Sequence, residues 1–244
     1  MEVFMQADTP TPLLVLWDID HTLIDAGTVA RQAYAEAFRK ATNLTLEQPW
    51  QFDGRTELAA ATDALRAHGL DPDADLLDAF TDLLIAEHLD RAGDLVADGR
   101  ALPGAADALT AVGAVPRVRQ SVLTGNLYSL AVLKLEVFGL DRHIDFRLGA
   151  YGGDAFERAD LPAHAFKRTE RHLGHRHSGA DTVIIGDTLR DIATAHAAGA
   201  RIVAVATGTD SVAELRAAGA DIVLPDLTDT CAVQHAVTEG RRPS

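Results

Sequence analysis

The 244-residue sequence predicts an α/β fold: a doubly wound, mostly parallel sheet interrupted by a helical insert. Three observations carry this reading. Short apolar runs alternate with longer stretches whose apolar residues recur every three or four positions. Several of the short runs are continuously apolar, as strands buried on both faces are. One long stretch after the first run shows helical spacing and no good strand.

The runs at 13–17, 121–123, 182–185, 202–206 and 221–224 are the expected strands, with 146–150 as a weaker one. Helical spacing fills 127–138, 164–173, 189–198 and 211–218. Strand–helix alternation implies parallel strands with helices against the sheet, and a ligand site at the strands' carboxyl ends. Between about Ala26 and Gly99 three apolar stripes follow one another: Val29–Ala33–Tyr34–Ala37–Phe38–Ala41, Leu58–Ala61–Thr62–Leu65, and Leu76–Leu77–Phe80–Leu83–Leu84–Leu89. An insert this long reads as a second small domain, and Pro103–Gly104 marks the return to the sheet. The expected division is 1–25 plus 100–244 for the sheet domain and 26–99 for the insert.

Apolar residues are 47% of the chain and charged residues 24%, enough apolar surface for a packed core and against disorder. With 22 Lys+Arg against 36 Asp+Glu the formal net charge is −14. That argues against a nucleic-acid polymer or an anionic membrane surface as partner. It also makes an anionic substrate awkward unless cations are concentrated locally. The single cysteine, Cys231, has no intramolecular partner and is read as packing. The first apolar run is too short for a membrane span and lacks a basic flank, so a cytoplasmic protein is expected.

Three strand tips carry the chemistry. Asp18 and Asp20 follow the first run in Trp17-Asp18-Ile19-Asp20-His21-Thr22. Carboxylates two apart on an extended segment project to one side, and such a pair is eased by a cation; a helix cap plus a turn acid is the plainer alternative. Gly186-Asp187-Thr188-Leu189-Arg190-Asp191 puts Asp187 at another tip and Asp191 on the first turn of the next helix. There, too, helix capping competes with metal ligation. Thr124, Gly125 and Asn126 end a third strand before a helix, where a hydroxyl and backbone N–H groups can cradle a phosphate.

In this order the motifs resemble the haloacid dehalogenase-like hydrolase superfamily, and within it the phosphoglycolate-phosphatase-like branch. Asp18, Asp20 and Thr22 match Asp-x-Asp-x-Thr, Thr124 the second-motif hydroxyl, and Asp187 and Asp191 the fourth motif. The resemblance spans roughly residues 12 to 228 and implies a Rossmann-like core with a helical cap. Two positions depart from it. His21 stands where glycine is usual and is read as structural. The third-motif lysine is missing: Arg158 holds the expected place, with Lys134 as competitor and Lys167 read as solvated. In Phe52-Asp53-Gly54-Arg55-Thr56, at the branch's specificity loop, Arg55 is either a substrate cation or a solvated residue beside an N-cap at Thr56. His172, His175 and His177 are not read as a metal site, and Gly152–Gly153 is read as a turn.

The resemblance implies a phosphatase acting on a small phosphorylated metabolite with Mg2+. Asp18 would be the nucleophile, Asp20 the acid–base, and Thr124 and Arg158 the charge-stabilising groups. Thr124, Gly125, Asn126, Arg55 and Lys134 would bind substrate; Asp18, Asp20, Asp187 and Asp191 would hold the metal. Asp20 argues against dehalogenation. A phosphomutase and a non-catalytic phosphate-binding protein are the alternatives. Monomer and homodimer are equally compatible with the sequence.

Overall fold

The computed structural model describes residues 12–47 and 54–239. Five parallel strands form the main sheet: β1 (Leu13–Trp17), β4 (Val118–Val122), β5 (Thr182–Gly186), β6 (Arg201–Val205) and β7 (Ile222–Leu224), in the order β4-β1-β5-β6-β7. Along β1, Leu13, Val15 and Trp17 enter one apolar cluster, and Leu14 and Leu16 enter another. The alternation follows from the two-residue period of a strand, and both faces are apolar because both are covered. Helices α5 (Ala105–Gly113), α6 (Tyr128–Val137) and α10 (Thr230–Thr238) cover the first face. Helices α7 (Leu161–Leu173), α8 (Leu189–Ala198) and α9 (Val212–Ala217) cover the second. The sheet is therefore doubly wound, as the alternation of runs implies.

Strand order changes direction at β1, whose two neighbours are β4 and β5. Trp17 pairs with Val122 on one side and Ile185 on the other, so the three strands end level. The segments leaving them diverge, and the crevice between them is where an open parallel sheet binds ligands.

A short antiparallel ribbon, β2 (Ile24–Asp25) with β3 (Arg100–Ala101), joins the two chain crossings between the sheet and the inserted helices. Between its strands lie α1 (Val29–Thr42), α2 (Glu57–Ala67), α3 (Ala74–Asp90) and α4 (Ala92–Asp98). Tyr34, Phe38, Leu65, Phe80 and Leu84 build a third apolar cluster that also takes in Leu127 and Leu130 beside β4. The inserted helices thus share packing with α6 directly above the strand tips.

Three expectations need correction. Residues 146–150 form no strand of the sheet: Phe146–Leu148 is a 3-10 turn capped by Asp145, and only Ala150 bridges, to Leu123. The 3-10 turn removes the extended backbone that a ladder needs. Leu89 lies 56% exposed, off the buried side of α3. Cys231 is exposed, so it does not pack. No helix among the described residues is long and apolar enough to cross a membrane.

His21 adopts φ 61°, left-handed backbone that glycine takes at no steric cost. This gives a conformational reason for glycine at the position. Histidine is among the few side chains that visit the region with some frequency, whereas a β-branched residue does so poorly. His21→Val is expected to cost about 1–2 kcal/mol in denaturant unfolding, and His21→Gly to leave stability within about 1 kcal/mol of the wild type. Equal effects of the two substitutions would contradict this account of the turn.

Candidate active site

The β1 tip delivers Asp18, whose backbone N–H donates to the Ile185 carbonyl at 2.8 Å and so ties β1 to β5 at this level. Thr124 leaves β4 with its N–H donating to the Ala150 carbonyl, 3.1 Å away. Gly186 ends β5 and Asp187 follows. Thr22 Oγ1 donates to Asp187 Oδ1 at 2.9 Å, so the turn after β1 holds the acid after β5. A Cβ on Gly208 would lie 1.9 Å from Asp187 Oδ2, and only glycine leaves room for that carboxylate.

Asp18, Asp187 and Asp191 gather here, each buried, with one carboxylate oxygen from each lying within 4.8 Å of the others. Asp191 is engaged twice. Its Oδ2 accepts from the N–H and hydroxyl of Thr188 (3.1 and 2.7 Å), which caps α8, and its Oδ1 accepts from Arg158 at 2.6 Å. Capping and membership of the acidic group hold together at Asp191, and the α8 N-cap is Thr188, not Asp187. Arg158 Nη2 also lies 2.9 Å from Asp18 Oδ1. This guanidinium is the cation buried among the three acids; burial would lower its pKa, but the charges and hydrogen bonds of Asp191 and Asp18 raise it. Burial pushes Asp18 up to about 6 against the pull of Arg158. Asp187 goes further, to about 9, through burial and then its acidic neighbours.

Arg158 is delivered by the loop after Ala150. The Arg168 guanidinium, on α7, pins that loop by donating to the Gly149 carbonyl (2.7 Å) and pairing with Asp154, whose Oδ2 in turn accepts the Tyr151 N–H at 2.8 Å.

Lys134 has a different partner. From α6 its ammonium donates to both oxygens of Asp20 (2.7 and 2.8 Å) and to Asn126 Oδ1 (2.7 Å). Asn126 Nδ2 donates to Asp20 Oδ2 at 2.6 Å and to Thr124 Oγ1 at 2.8 Å. Burial would raise the Asp20 pKa, but Lys134 and Asn126 outweigh it and hold the carboxyl below its usual value. The two competitors for one cation role thus divide the work: Arg158 serves Asp18, and Lys134 serves Asp20.

One cavity of about 130 Å³ joins these groups to the inserted helices. It is lined by Asp18, Asp20, Thr124, Gly125, Asn126, Lys134, Arg158 and Asp187, and also by Arg55. Arg55 pairs there with Asp63, next door on α2. Phe52 and Asp53 lie outside the described residues. A Cβ on Gly125 would meet the Arg55 carbonyl at 1.8 Å, so this glycine permits the close approach of insert to sheet. Sequence reasoning did not single out Arg31, Glu57 and His88, which also line the cavity. Their signal was hidden because they sit within ordinary amphipathic helix patterns.

A family model described as HAD-hydrolase-like matches residues 160–230. No curated protein matches the chain. Among solved structures, a hydrolase from Pseudomonas syringae is 21% identical, with 91% of this chain and 97% of that chain covered and a TM-score of 0.68. A structure described as a predicted phosphoglycolate phosphatase from Haemophilus somnus is 19% identical over 93% of this chain and 99% of that one, with a TM-score of 0.65. CbbY from Rhodobacter sphaeroides, solved with xylulose-(1,5)-bisphosphate, is 20% identical over 90% and 96%, with a TM-score of 0.63. The fold is thus that of haloacid dehalogenase-like structures, and the residues the family model matches include Asp187 and Asp191.

Removing the buried cation should expose the repulsion it offsets. Arg158→Met is expected to destabilise by on the order of 3 kcal/mol, read as a lower denaturant midpoint, with Arg158→Lys recovering part of it. A neutral Arg158→Met would contradict the charge balance drawn here. The raised acids also set a pH dependence. A carboxyl whose pKa is raised on folding adds most stability below its ordinary value of 3.8, and that contribution is lost as pH climbs through about 6 for Asp18 and about 9 for Asp187. Asp20, lowered, acts in the opposite sense only below 3.8. In chelator the melting temperature is expected to fall between pH 6 and pH 9, and less so in Asp187→Asn. A flat profile would contradict the assignment.

Proposed function

We propose that the protein is a Mg2+-dependent phosphatase that hydrolyses a small phosphate monoester through an aspartyl-phosphate on Asp18, with residues 26–99 as its cap. The observation that carries this reading is the convergence of Asp18, Asp20, Thr124 and Asp187 at three adjacent strand ends in one cavity. The hydrolase and phosphatase descriptions of the similar structures support it.

The donor set suits a hard divalent cation. Three buried carboxylates lie together, two of which would supply oxygen ligands, and burial with the neighbouring acids raises the Asp187 pKa although Arg158 is close. Asp18 and Asp187 would hold Mg2+ together with the Asp20 backbone carbonyl, with Asp191 beside them orienting Arg158. When bound, Mg2+ supplies positive charge that lets a phosphate approach these acids.

This chain's own residues then do the following. Arg158 holds Asp18 Oδ1 and fixes the carboxylate for attack on phosphorus. As the Asp18–phosphorus bond forms, the ester P–O bond breaks and the leaving oxygen takes a proton from Asp20. Asp20 starts as a carboxylate in the Lys134 clamp, so it receives that proton from an ester arriving as its monoanion. In the second half Asp20 takes a proton from water, which attacks the acyl phosphate and releases inorganic phosphate with Asp18 restored. The Thr124 hydroxyl, which accepts from the Asn126 N–H and Nδ2 and keeps its own proton to donate, and the Gly125 N–H would hold the phosphoryl oxygens, with Asn126 orienting Thr124. The chain's lone cysteine and small soluble substrate suit the cytoplasm.

Asp18→Asn is expected to lower phosphate release by at least about 1,000-fold while leaving the circular dichroism spectrum unchanged. Chelation should abolish the wild-type rate and added Mg2+ restore it. Full turnover in Asp18→Asn, or in chelator, would overturn the reading; a phosphomutase would instead show an isomerised sugar phosphate without phosphate release.

A further inference from the structure

The wall of the cavity that the inserted helices build has its own chemistry. Glu57, the first residue of α2, is fixed over the β4 tip by its N–H donating to the Gly125 carbonyl at 2.9 Å. Its Oε2 is buried and has no hydrogen-bond partner. Burial raises the Glu57 pKa to about 7, and Lys134 and Asp20 are the charges that act on it. A buried acceptor without a donor is costly, and a ligand that brings one relieves the cost.

His88 supplies a second acceptor. It is 4% exposed, and its Nδ1 lies 2.9 Å from the Leu84 carbonyl. A carbonyl only accepts, so Nδ1 carries the proton and Nε2 of the neutral ring is left as an acceptor. Burial and the nearby Lys134 hold the ring pKa at about 4, which keeps it neutral. Glu57 from α2, with its buried unpartnered oxygen, and the His88 ring from α3 therefore line the same cavity as Asp20, the group that would meet the leaving oxygen.

We infer that Glu57 and His88 form a specificity subsite for hydroxyl donors, and that the substrate is the phosphate ester of a polyhydroxylated alcohol rather than of a hydroxy acid. The inference rests on the phosphatase reading. The hydroxyl groups next to the ester oxygen donate to Glu57 and His88. A carboxylate there would bring a further acceptor and a further negative charge against Glu57 and Asp20. Arg31 also lines the cavity, but it is exposed and water screens its charge; Lys134 is committed to Asp20 and Asn126, and Arg55 to Asp63, so the Glu57 and His88 acceptors set the discrimination.

The test compares ribose 5-phosphate and glycerol 1-phosphate with phosphoglycolate in Mg2+. The wild type is expected to favour the polyol esters by at least about 10-fold in kcat/KM. Glu57→Leu should reduce that preference by about 30-fold, chiefly through KM, and Glu57→Gln should keep part of it because the amide oxygen still accepts. Calorimetry of the same esters on Asp18→Asn protein, with and without Glu57→Leu, reads the subsite without turnover. Equal or better use of phosphoglycolate, or an equal loss on both ester classes in Glu57→Leu, would overturn the inference. If the wild type hydrolyses no ester, the phosphatase reading fails and calorimetry alone decides the subsite. Tighter binding of polyol esters that Glu57→Leu weakens then sustains it, and no binding or no difference overturns it.

Discussion

Charge repulsion among acids brought together by parallel strands is the constraint on which the rest of the site depends. Asp18, Asp187 and Asp191 would repel at the separation the sheet imposes, and burial makes the repulsion worse. Arg158 between Asp18 and Asp191 offsets part of it. The Asp187 carboxyl, left with the poorest balance, holds its proton well above the usual range. That residual imbalance makes a divalent cation and then a phosphate fitting ligands. The overall charge of −14 loses its awkwardness in this setting, because the cations that matter are placed within the site.

The inserted helices complete the cavity, and on the proposed reading they would also select the substrate. Glycine at 125 lets the Arg55 backbone approach the β4 tip, and the same approach sets Glu57 above it. One side of the cavity is built from strand tips that would hold phosphate and metal. The other is built from α2 and α3, whose acceptors would meet the rest of the substrate. On that proposed reading chemistry and selectivity would reside on different elements, with the Lys134–Asp20 pair between them.

Much of this was legible in the sequence. Asp18 and Asp187 each come at the end of a continuous apolar run, and a run buried on both faces announces a parallel strand with a ligand site at its tip, whereas Arg119 and Gln120 hid most of the strand before Thr124. The stripe containing Tyr34 and Phe38 gave α1 by its period alone. Residues 146–150 misled because apolar content without extended pairing does not distinguish a 3-10 turn from an edge strand. The division of labour between Arg158 and Lys134 was not legible, since their partners lie far along the chain, 33 positions away for Arg158 with Asp191 and 114 for Lys134 with Asp20. Glu57 and His88 were hidden for a related reason. On a helix a lone acid or histidine looks like surface, and only the packing of α2 and α3 over the sheet turns it inward.

The central claim is that Asp18 is the atom-bonding residue of a phosphoryl-transfer site. The most direct measurement is acid quenching of the protein during turnover of a phosphate ester, followed by mass spectrometry of its peptides. The account predicts a phosphoryl adduct on the peptide carrying Asp18, labile to hydroxylamine and missing in Asp18→Asn. Turnover with no adduct there, or an adduct on a different residue, would contradict it.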